Sequence, residues 1–257
     1  MPLRAALLTA ALFAALALSA CAGRQPPQPD YDPWEPLNRK VFWFNDRLDN
    51  YVLEPVARGW DYVIPDAVQR ALSNFFNNLR FPIIFPNDLL QGKPHKAAEE
   101  WARFQVNTFL GGAGFFDVAA RFGLEPQDED WGQTFGVWNI SPGPYLVLPV
   151  FGPSSPRDAV GLACDAASGF YIYFTAFPWV TTGATGINVV NERSRQLDTV
   201  RNAKAASLDF YVFVRNAYVQ HRWKQVNDAV SGGTPLEQED LYNEEIYENY
   251  LEHGDTP

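Results

Sequence analysis

The N-terminal segment constrains this chain most, because it determines the compartment and the surface at which the rest folds. An apolar run from Ala5 to Ala20 follows Arg4 and stops at Cys21. The run is too short to cross a bilayer comfortably as a stable helix, and its flanks are those of a secretory signal. Cys164 is the only other cysteine, so Cys21 is half of a disulfide, a buried thiol or a modified residue.

The residues before Cys21 favour modification. Leu18-Ser19-Ala20-Cys21 resembles a bacterial lipobox, in which the cysteine thiol receives a diacylglyceryl group and cleavage leaves the acylated cysteine first. The alternative is an ordinary secreted protein that is cleaved near Ala20. We predict a lipoprotein signal peptide at residues 1–20, a covalent lipid anchor on Cys21 and an extended, proline-rich tether at residues 21–30.

Acylation of Cys21 has consequences for two other residues. Cys164 is left without a disulfide partner, so we expect it to be a buried, small apolar residue. Ala22 follows the anchor, whereas an Asp at that position would resemble a signal for retention in the inner membrane. The identity of residue 22 therefore favours anchoring in the outer membrane of a Gram-negative bacterium.

The negative charge is concentrated at the C-terminus. The formal net charge is −10, and the segment from Pro235 to Pro257 holds eight carboxylates but no Lys or Arg. We therefore predict a nearly neutral domain at residues 31–230 and a separate acidic, flexible tail at residues 231–257. Neither part offers the basic surface that a nucleic-acid phosphate backbone requires, so nucleic acid is not expected as a partner.

Aromatic residues are abundant, with 19 Phe, 11 Tyr and 8 Trp. Such a surplus has two explanations. One is a large apolar core, and the other is contact with a lipid interface, where Trp and Tyr rings lie at the depth of the headgroups. Composition alone favours the large core.

The hydrophobic pattern predicts a mainly α-helical domain. Asp32 is the predicted N-cap of a first helix, with Pro33 at its first position. A short helix is expected to end at Gly123. Residues 132–153 are dense in Gly and Pro, so loops and a short hairpin are predicted there. Further helices are expected at about 66–80, 95–110, 155–167, 184–203 and 207–230.

The motifs of common enzyme classes are missing from the sequence. The chain contains no G-x-S-x-G nucleophile elbow, no H-E-x-x-H zinc motif and no paired cysteines at metal-binding spacing. Its three histidines, His95, His221 and His253, are scattered and are expected to be surface residues. We therefore predict a protein that is not an enzyme, with no catalytic residue, no metal and no cofactor.

An unusual polar face occurs in the stretch LSNFFNNLRF. Asn74, Asn77 and Asn78 stand at i, i+3 and i+4, so they share one side of a helix. A weaker face of the same kind, in the first predicted helix, carries Asn38 and Asn45. Such faces are either solvated or, being uncharged amides beside aromatic rings, suited to a zwitterionic lipid headgroup.

Several motifs occur in an order that resembles one known family. They are DPWEPLNRKVFWFNDRLDNYVLEPVA, LSNFFNNLRFP, NDLLQGK, RFQVNTFLGGAGFFDVA and GQTFGVWNISPGPYLVLPVFGPSSPRD. From about Tyr31 to about Asp228, the chain resembles the MlaA (VacJ) family of outer-membrane lipoproteins. The acidic tail beyond Ser231 lies outside the resemblance.

The resemblance implies a single ring-like helical domain that lies in the periplasmic-facing leaflet of the outer membrane and encloses an amphipathic channel. It implies that mislocalised phospholipids, the transported ligand, are removed from the outer leaflet, which maintains lipid asymmetry. The implied partners are membrane phospholipids, trimeric outer-membrane porins and a soluble periplasmic, MlaC-like lipid carrier. The alternatives are a periplasmic lipoprotein adaptor that docks porins without a lipid path, and a phospholipid-cleaving enzyme.

The resemblance also suggests where a lipid would pass. The polar helix faces and a neighbouring ring become candidates for the lipid path: Asn38, Phe44, Asn45, Asn74, Asn77 and Asn78. The glycine-rich turn after residue 110 becomes a candidate gate or hinge, formed by Gly111, Gly112 and Gly114.

Overall fold

The computed structural model describes residues 32–169 and 178–230, and this part of the chain is mainly helical. The predicted signal peptide, Cys21, the tether and the acidic tail lie outside the described residues. The helices are α1 (Glu35–Leu48), a π-helical segment (Asp49–Leu53), α2 (Glu54–Val63), α3 (Asp66–Leu79), α4 (Phe81–Leu90), α5 (Pro94–Phe109), a 3-10 turn (Ala119–Phe122), α6 (Trp131–Val137), α7 (Pro156–Gly169), α8 (Pro178–Arg195), α9 (Leu197–Ala206) and α10 (Phe210–Val230).

The single sheet of the described residues is a hairpin in which β1 (Leu146–Leu148) pairs antiparallel with β2 (Gly152–Ser154). Val147 stands opposite Pro153 in this register. The hairpin predicted in the Gly- and Pro-rich region is therefore confirmed. The first part of that region forms α6 instead of a loop, because the Asp130 side chain accepts a hydrogen bond from the Gln133 backbone N–H at 2.8 Å and caps the helix.

Local sequence signals place several helices correctly. α3 and α5 match the predicted ranges within a residue or two. α7 begins at Pro156, and the Asp158 N–H donates to the Ser155 hydroxyl at 3.2 Å, as an N-cap requires. Gly123 ends the 3-10 turn with a φ of 75°, which a residue with a side chain adopts only at a cost.

Two predictions about helix ends are wrong. α1 begins at Glu35 and lacks a side-chain cap, because the Asp32 carboxylate accepts hydrogen bonds from Asn38 and from the Tyr211 hydroxyl instead. The helix predicted at 184–203 is two helices, α8 and α9, which meet at Gln196. The break allows α8 to pack on α2 and α3 while Lys204 of α9 reaches Asp46 of α1 at 2.7 Å.

The helices form a closed circuit of contacts. α1 continues through the π-helical segment to α2, which packs on α8, and α8 packs on α3. α3 meets α4, α4 packs on α6 and α7, α6 packs on α10, and α10 contacts β2. β1 then packs on α1, where the circuit started. This closure agrees with the predicted ring-like helical domain.

The buried residues of this fold are more often polar than apolar, unlike those of a typical globular protein. The largest side chains with almost no exposed surface are Gln133, Val147, Asn38, Asn87, Asn191, Thr134 and Asp88, and all but one of these are polar. Large apolar side chains are exposed throughout the described residues, among them Tyr62 at 92% and Phe109 at 77%. The large apolar core favoured by composition is therefore wrong, because the buried apolar cluster is small and centred on Tyr145, Val147 and Tyr211. The exposed rings favour contact with a lipid interface, which stays a prediction.

A buried ionic network fastens three helices together. Arg222 of α10 donates to Asp130 at 2.7 Å and to Asp158 of α7 at 2.9 Å, and the Tyr218 hydroxyl also bonds Asp158. Burial on its own would raise the pKa of Asp158, but its bonds to Arg222 and Tyr218 hold that pKa at about 2. The network joins α7 and α10 at the N-terminus of α6, where Gly132 touches Gly161.

Two further observations concern the described residues. Within 32–169 and 178–230, no helix combines the length and apolarity that crossing a bilayer requires. Cys164 is half-buried, so the prediction of a buried residue is wrong. Gly161 of α7 lies against Gly132 of α6, and Cys164 lies one turn further along α7.

Candidate functional site

A cavity of about 400 Å³ lies beside the polar face of α3. Asn74, Asn77 and Asn78 all line it, so the structure brings these three predicted residues to one site. Asn77 is exposed, while Asn74 and Asn78 are half-buried. The opposite wall comes from α5 and from the chain that follows it. The site therefore places uncharged amide donors and acceptors around an open volume.

The glycine-rich turn touches the same amides. The Asn74 amide donates to the Phe115 carbonyl at 3.3 Å, and the Asn78 amide donates to the Thr108 hydroxyl at 3.0 Å. Gly114, with a φ of 93°, lies directly against the Asn78 side chain. The predicted lipid-path amides of α3 and the predicted gate are thus in contact.

Close packing explains the glycines of this turn. Gly111 is buried, and a side chain there would run into the carbonyl oxygens of Phe116 and Asn107. Gly112 has a φ of 62°, in the left-handed region that favours glycine. These contacts give the turn its shape, and movement as a gate or hinge stays a prediction.

The α5 wall of the cavity was not predicted from the sequence. Arg103 donates two hydrogen bonds to Asp117, at 3.1 and 3.2 Å, and the Asn107 amide donates to the same carboxylate at 3.0 Å. Glu100 precedes them on the same side of the helix and also lines the cavity. A signal was present, because Glu100, Arg103 and Asn107 stand at i, i+3 and i+7 and therefore share a helix face.

Burial perturbs the acidity of two carboxyls near this wall. Burial raises the pKa of Glu100 to about 7, against the opposing charge of Arg103. Burial also raises the pKa of Asp88 on α4 to about 7, and the neighbouring charge of Glu129 adds to this effect. Both side chains therefore titrate near neutral pH.

The other predicted amides form a separate group under the hairpin. Asn38 is fully buried; its amide donates to the Tyr145 carbonyl at 3.0 Å, and its oxygen accepts from the Val147 N–H at 2.9 Å. A solvated face at Asn38 is therefore wrong. In this conformation Asn38 has no surface open to a lipid, so a part in the lipid path would require the hairpin to move away from α1.

Asn45 and Phe44 lie further along α1. The Asn45 amide donates to the Leu148 carbonyl at 2.9 Å, and its oxygen accepts from the Val150 N–H at 2.8 Å. The Phe44 ring is 47% exposed. Asn38 and Asn45 therefore hold the hairpin backbone, and the exposed ring beside them faces outward.

A second depression, of about 660 Å³, lies between α2, α3, α8 and α9. Charged side chains of both signs line it, and several are paired, such as Arg58 with Glu54 and Arg201 with Asp198. Exposed pairs of this kind are typical of a solvated surface. The smaller cavity at α3, with its convergent amides, is therefore the better candidate site.

The family is decided by comparison with known proteins. A sequence model of the MlaA lipoprotein family matches residues 30–225. The chain belongs to the MlaA lipoprotein family. This confirms the resemblance that the motifs indicated between Tyr31 and Asp228.

Two relatives of known name match this MlaA-family chain over most of their length. The protein of Haemophilus influenzae is 34% identical over 230 residues, which are 85% of this chain and 90% of the relative. The protein of Escherichia coli K12 is 33% identical over 230 residues, 88% of each chain. Both are named intermembrane phospholipid transport system lipoprotein MlaA.

A solved structure shares the MlaA-family fold. It comes from work on the structural basis for maintenance of bacterial outer membrane lipid asymmetry. It superimposes with a TM-score of 0.67 at 33% sequence identity and covers 76% of this chain and 98% of its own. The mainly helical fold class is therefore confirmed by an independent structure.

Proposed function

We propose that this protein is an outer-membrane lipoprotein that removes mislocalised phospholipids from the outer leaflet and so maintains lipid asymmetry. The observation that carries the proposal is the burial pattern, with polar side chains inside and large apolar side chains outside. Water does not favour such a surface, whereas the acyl chains of a lipid leaflet do. Support also comes from the relatives named for intermembrane phospholipid transport.

The physical problem that the protein solves is the passage of a polar headgroup. A headgroup that crosses hydrocarbon loses its hydrogen bonds to water, at a cost of several kcal/mol for each unsatisfied polar group. The amides of Asn74, Asn77 and Asn78 line a cavity that offers replacement donors and acceptors. The headgroup passes along these amides while its acyl chains stay against the apolar exterior.

The predicted anchor and exposed rings fix the protein at the proper depth. The ring-like domain lies in the periplasmic-facing leaflet, with the lipid on Cys21 holding it there. Exposed aromatic side chains such as Trp43 and Tyr62 are suited to the headgroup region. The glycine-rich turn at Gly111, Gly112 and Gly114 regulates entry, because it contacts the amides that form the path.

Transport requires partners on both sides of the path. Trimeric outer-membrane porins hold the protein beside the leaflet that it clears, and a soluble, MlaC-like periplasmic carrier accepts the lipid. No bond of the phospholipid is made or broken in this process. The preference of the outer leaflet for lipopolysaccharide supplies the direction.

Gene deletion with complementation tests the proposal. We expect deletion to raise surface-exposed phospholipid and detergent sensitivity, and the wild-type gene to reverse both. Joint replacement of Asn74, Asn77 and Asn78 by Leu is expected to fail to restore clearance although the protein folds and still binds porin. An adaptor without a lipid path would restore clearance with this variant, and release of fatty acid by the purified protein would indicate a phospholipase.

A further inference from the structure

Glu100 is a buried carboxyl that faces the cavity without a hydrogen-bond donor. It is only 5% exposed, and it lines the cavity together with Asn74, Asn77 and Asn78. Throughout residues 32–169 and 178–230, no side chain or backbone N–H donates to it, and no cation lies within ion-pair distance. Its carboxylate opens on the cavity instead of being sealed within the protein, so an entering ligand can supply the donor that the fold does not.

The cations around the cavity are already occupied. Arg103 donates twice to Asp117 and once to the Leu124 carbonyl. Arg80 pairs with Asp128 at 2.6 Å. Each arginine therefore has a carboxylate as its ion-pair partner. Among the described residues that line the cavity, Glu100 is the one acid without such a partner. A group that enters the cavity meets an unpaired acceptor there.

We propose that Glu100 receives the primary ammonium group of a phospholipid headgroup of the ethanolamine type. The inference rests on the proposed function, since it assigns a lipid to the same cavity, and it adds the class of headgroup. A primary ammonium carries three N–H donors, which match the Glu100 carboxylate and the amide oxygens of Asn74 and Asn77. The headgroup phosphate lies toward Arg80, whose pair with Asp128 is 41% and 60% exposed and exchanges readily.

This arrangement discriminates between headgroups. A glycerol headgroup brings hydroxyls but no positive charge, so its lipid is a net anion beside an acidic cavity wall. A choline headgroup has the charge but no N–H to donate. Only the primary ammonium satisfies both the charge and the hydrogen-bonding capacity of Glu100, so it binds most tightly.

The same geometry makes binding dependent on pH. The charged groups that act on Glu100 are Arg103 on its own helix, Asp88 on α4 and Arg80 after α3. Since the pKa of Glu100 is raised to about 7, the carboxyl of the empty site is protonated below neutral pH and ionised above it. The preference for an ammonium headgroup therefore increases from pH 6 to pH 8.

Titration calorimetry on the full-length lipoprotein in maltoside micelles tests the proposal. The probes are the dihexanoyl forms of phosphatidylethanolamine, phosphatidylcholine and phosphatidylglycerol. At pH 8 we expect the ethanolamine lipid to bind at least about tenfold more tightly than the other two, the factor expected for a hydrogen-bonded charge. We expect Glu100→Gln to remove this preference and Glu99→Gln, at the more exposed neighbouring residue, to retain it.

Three outcomes would overturn the proposal. The first is equal affinity of the wild-type protein for the three lipids at pH 8, and the second is an unchanged preference in Glu100→Gln. The third is binding of soluble phosphoethanolamine as tightly as the lipid, which would make a free amine the ligand; we expect it to bind at least about tenfold more weakly. Comparing the wild-type preference at pH 6 and pH 8 needs no variant, so the test does not depend on the folding of Glu100→Gln.

Complementation in cells distinguishes the role of Glu100 in headgroup binding from the proposed function in phospholipid removal. Complementation with Glu100→Gln is expected to leave ethanolamine lipids on the surface while anionic lipids are still cleared. If the wild-type gene clears all phospholipids and calorimetry shows no preference, the inference fails and the proposed function stands. If the wild-type gene clears none, the proposed function fails whatever Glu100 binds.

Discussion

The Asn78 side chain fills the space into which any side chain at position 114 would project. A Cβ on Gly114 would lie 2.7 Å from the Asn78 Cβ, far inside normal contact. This contact ties the polar face of α3 to the turn after α5, and it holds two parts of the candidate site in one arrangement.

Gly114→Ala is expected to destabilise the fold by about 2 to 4 kcal/mol, through strain at a positive φ and through the clash with Asn78. Gly123→Ala is the matched control, because Gly123 has a φ of 75° but open space around it. The control is expected to cost about 1 kcal/mol. Chemical denaturation in micelles measures both, and equal losses would mean that the Asn78 contact is unimportant.

Asn38→Ala is expected to cost about 2 to 4 kcal/mol, because it leaves the Tyr145 carbonyl and the Val147 N–H buried without partners. Asn45→Ala is expected to cost about 1 kcal/mol, since its partners Leu148 and Val150 lie nearer to solvent. Amide hydrogen exchange measures the loss of stability and also tests whether the lost hydrogen bond causes it. The Val147 amide should lose protection in the first variant and keep it in the second.

Asp158 is expected to make the fold acid-sensitive. Its pKa is about 2 in the folded protein against an ordinary value of 3.8, so the unfolded chain binds the proton first as the pH falls. The stabilisation is therefore complete above about pH 4 and is lost as the pH falls from about 4 to 2, amounting to about 2 kcal/mol. Asp158→Asn should be less stable at pH 7 and should show a shallower acid loss; an unchanged acid profile would contradict this account.

Asp88 is expected to make the fold less stable as the pH rises, the opposite of the effect of Asp158. Its two carboxylate oxygens are buried and have no hydrogen-bond partner among the described residues, and its pKa is raised to about 7. The folded protein therefore holds a proton that the unfolded chain has released, so stability falls as the pH rises from about 4 to 7. Asp88→Asn should remove this slope and stabilise the protein at pH 8 by about 4 kcal/mol. Thermal melts at several pH values measure it, with Asp198→Asn, at an 80% exposed side chain, as the control.

Cys21→Ala is expected to leave the protein in the soluble fraction or unprocessed, because the thiol that takes the lipid is gone. Cell fractionation and metabolic labelling with a fatty acid measure the result. Normal outer-membrane fractionation of the variant would contradict the lipobox interpretation.

Periodicity predicted the helices whose ends are marked by local residues. α7 was found because Ser155 and Pro156 mark its start, and the cavity face of α3 was found because Asn74, Asn77 and Asn78 follow the helical repeat. α4 was not predicted, because it contains Pro86 and proline in a sequence argues against a helix interior. A repeat identifies a face but not what covers it, and for this reason the sequence did not reveal that a hairpin more than a hundred residues later covers Asn38.

Glu100 was missed for a related reason. A glutamate on an amphipathic helix is ordinarily a solvated residue, and only the tertiary fold removes it from water and leaves it unmatched. Composition also could not predict that many aromatic side chains are exposed, because the number of aromatic residues is the same whether their rings are buried or exposed.

The outward-facing aromatic side chains make the chain prone to aggregation when no bilayer covers them. In water the same surface favours self-association. The buried amides contribute little hydrophobic stabilisation to oppose it. A chain with this surface is therefore expected to need a shielding partner whenever it is in water and away from a lipid leaflet.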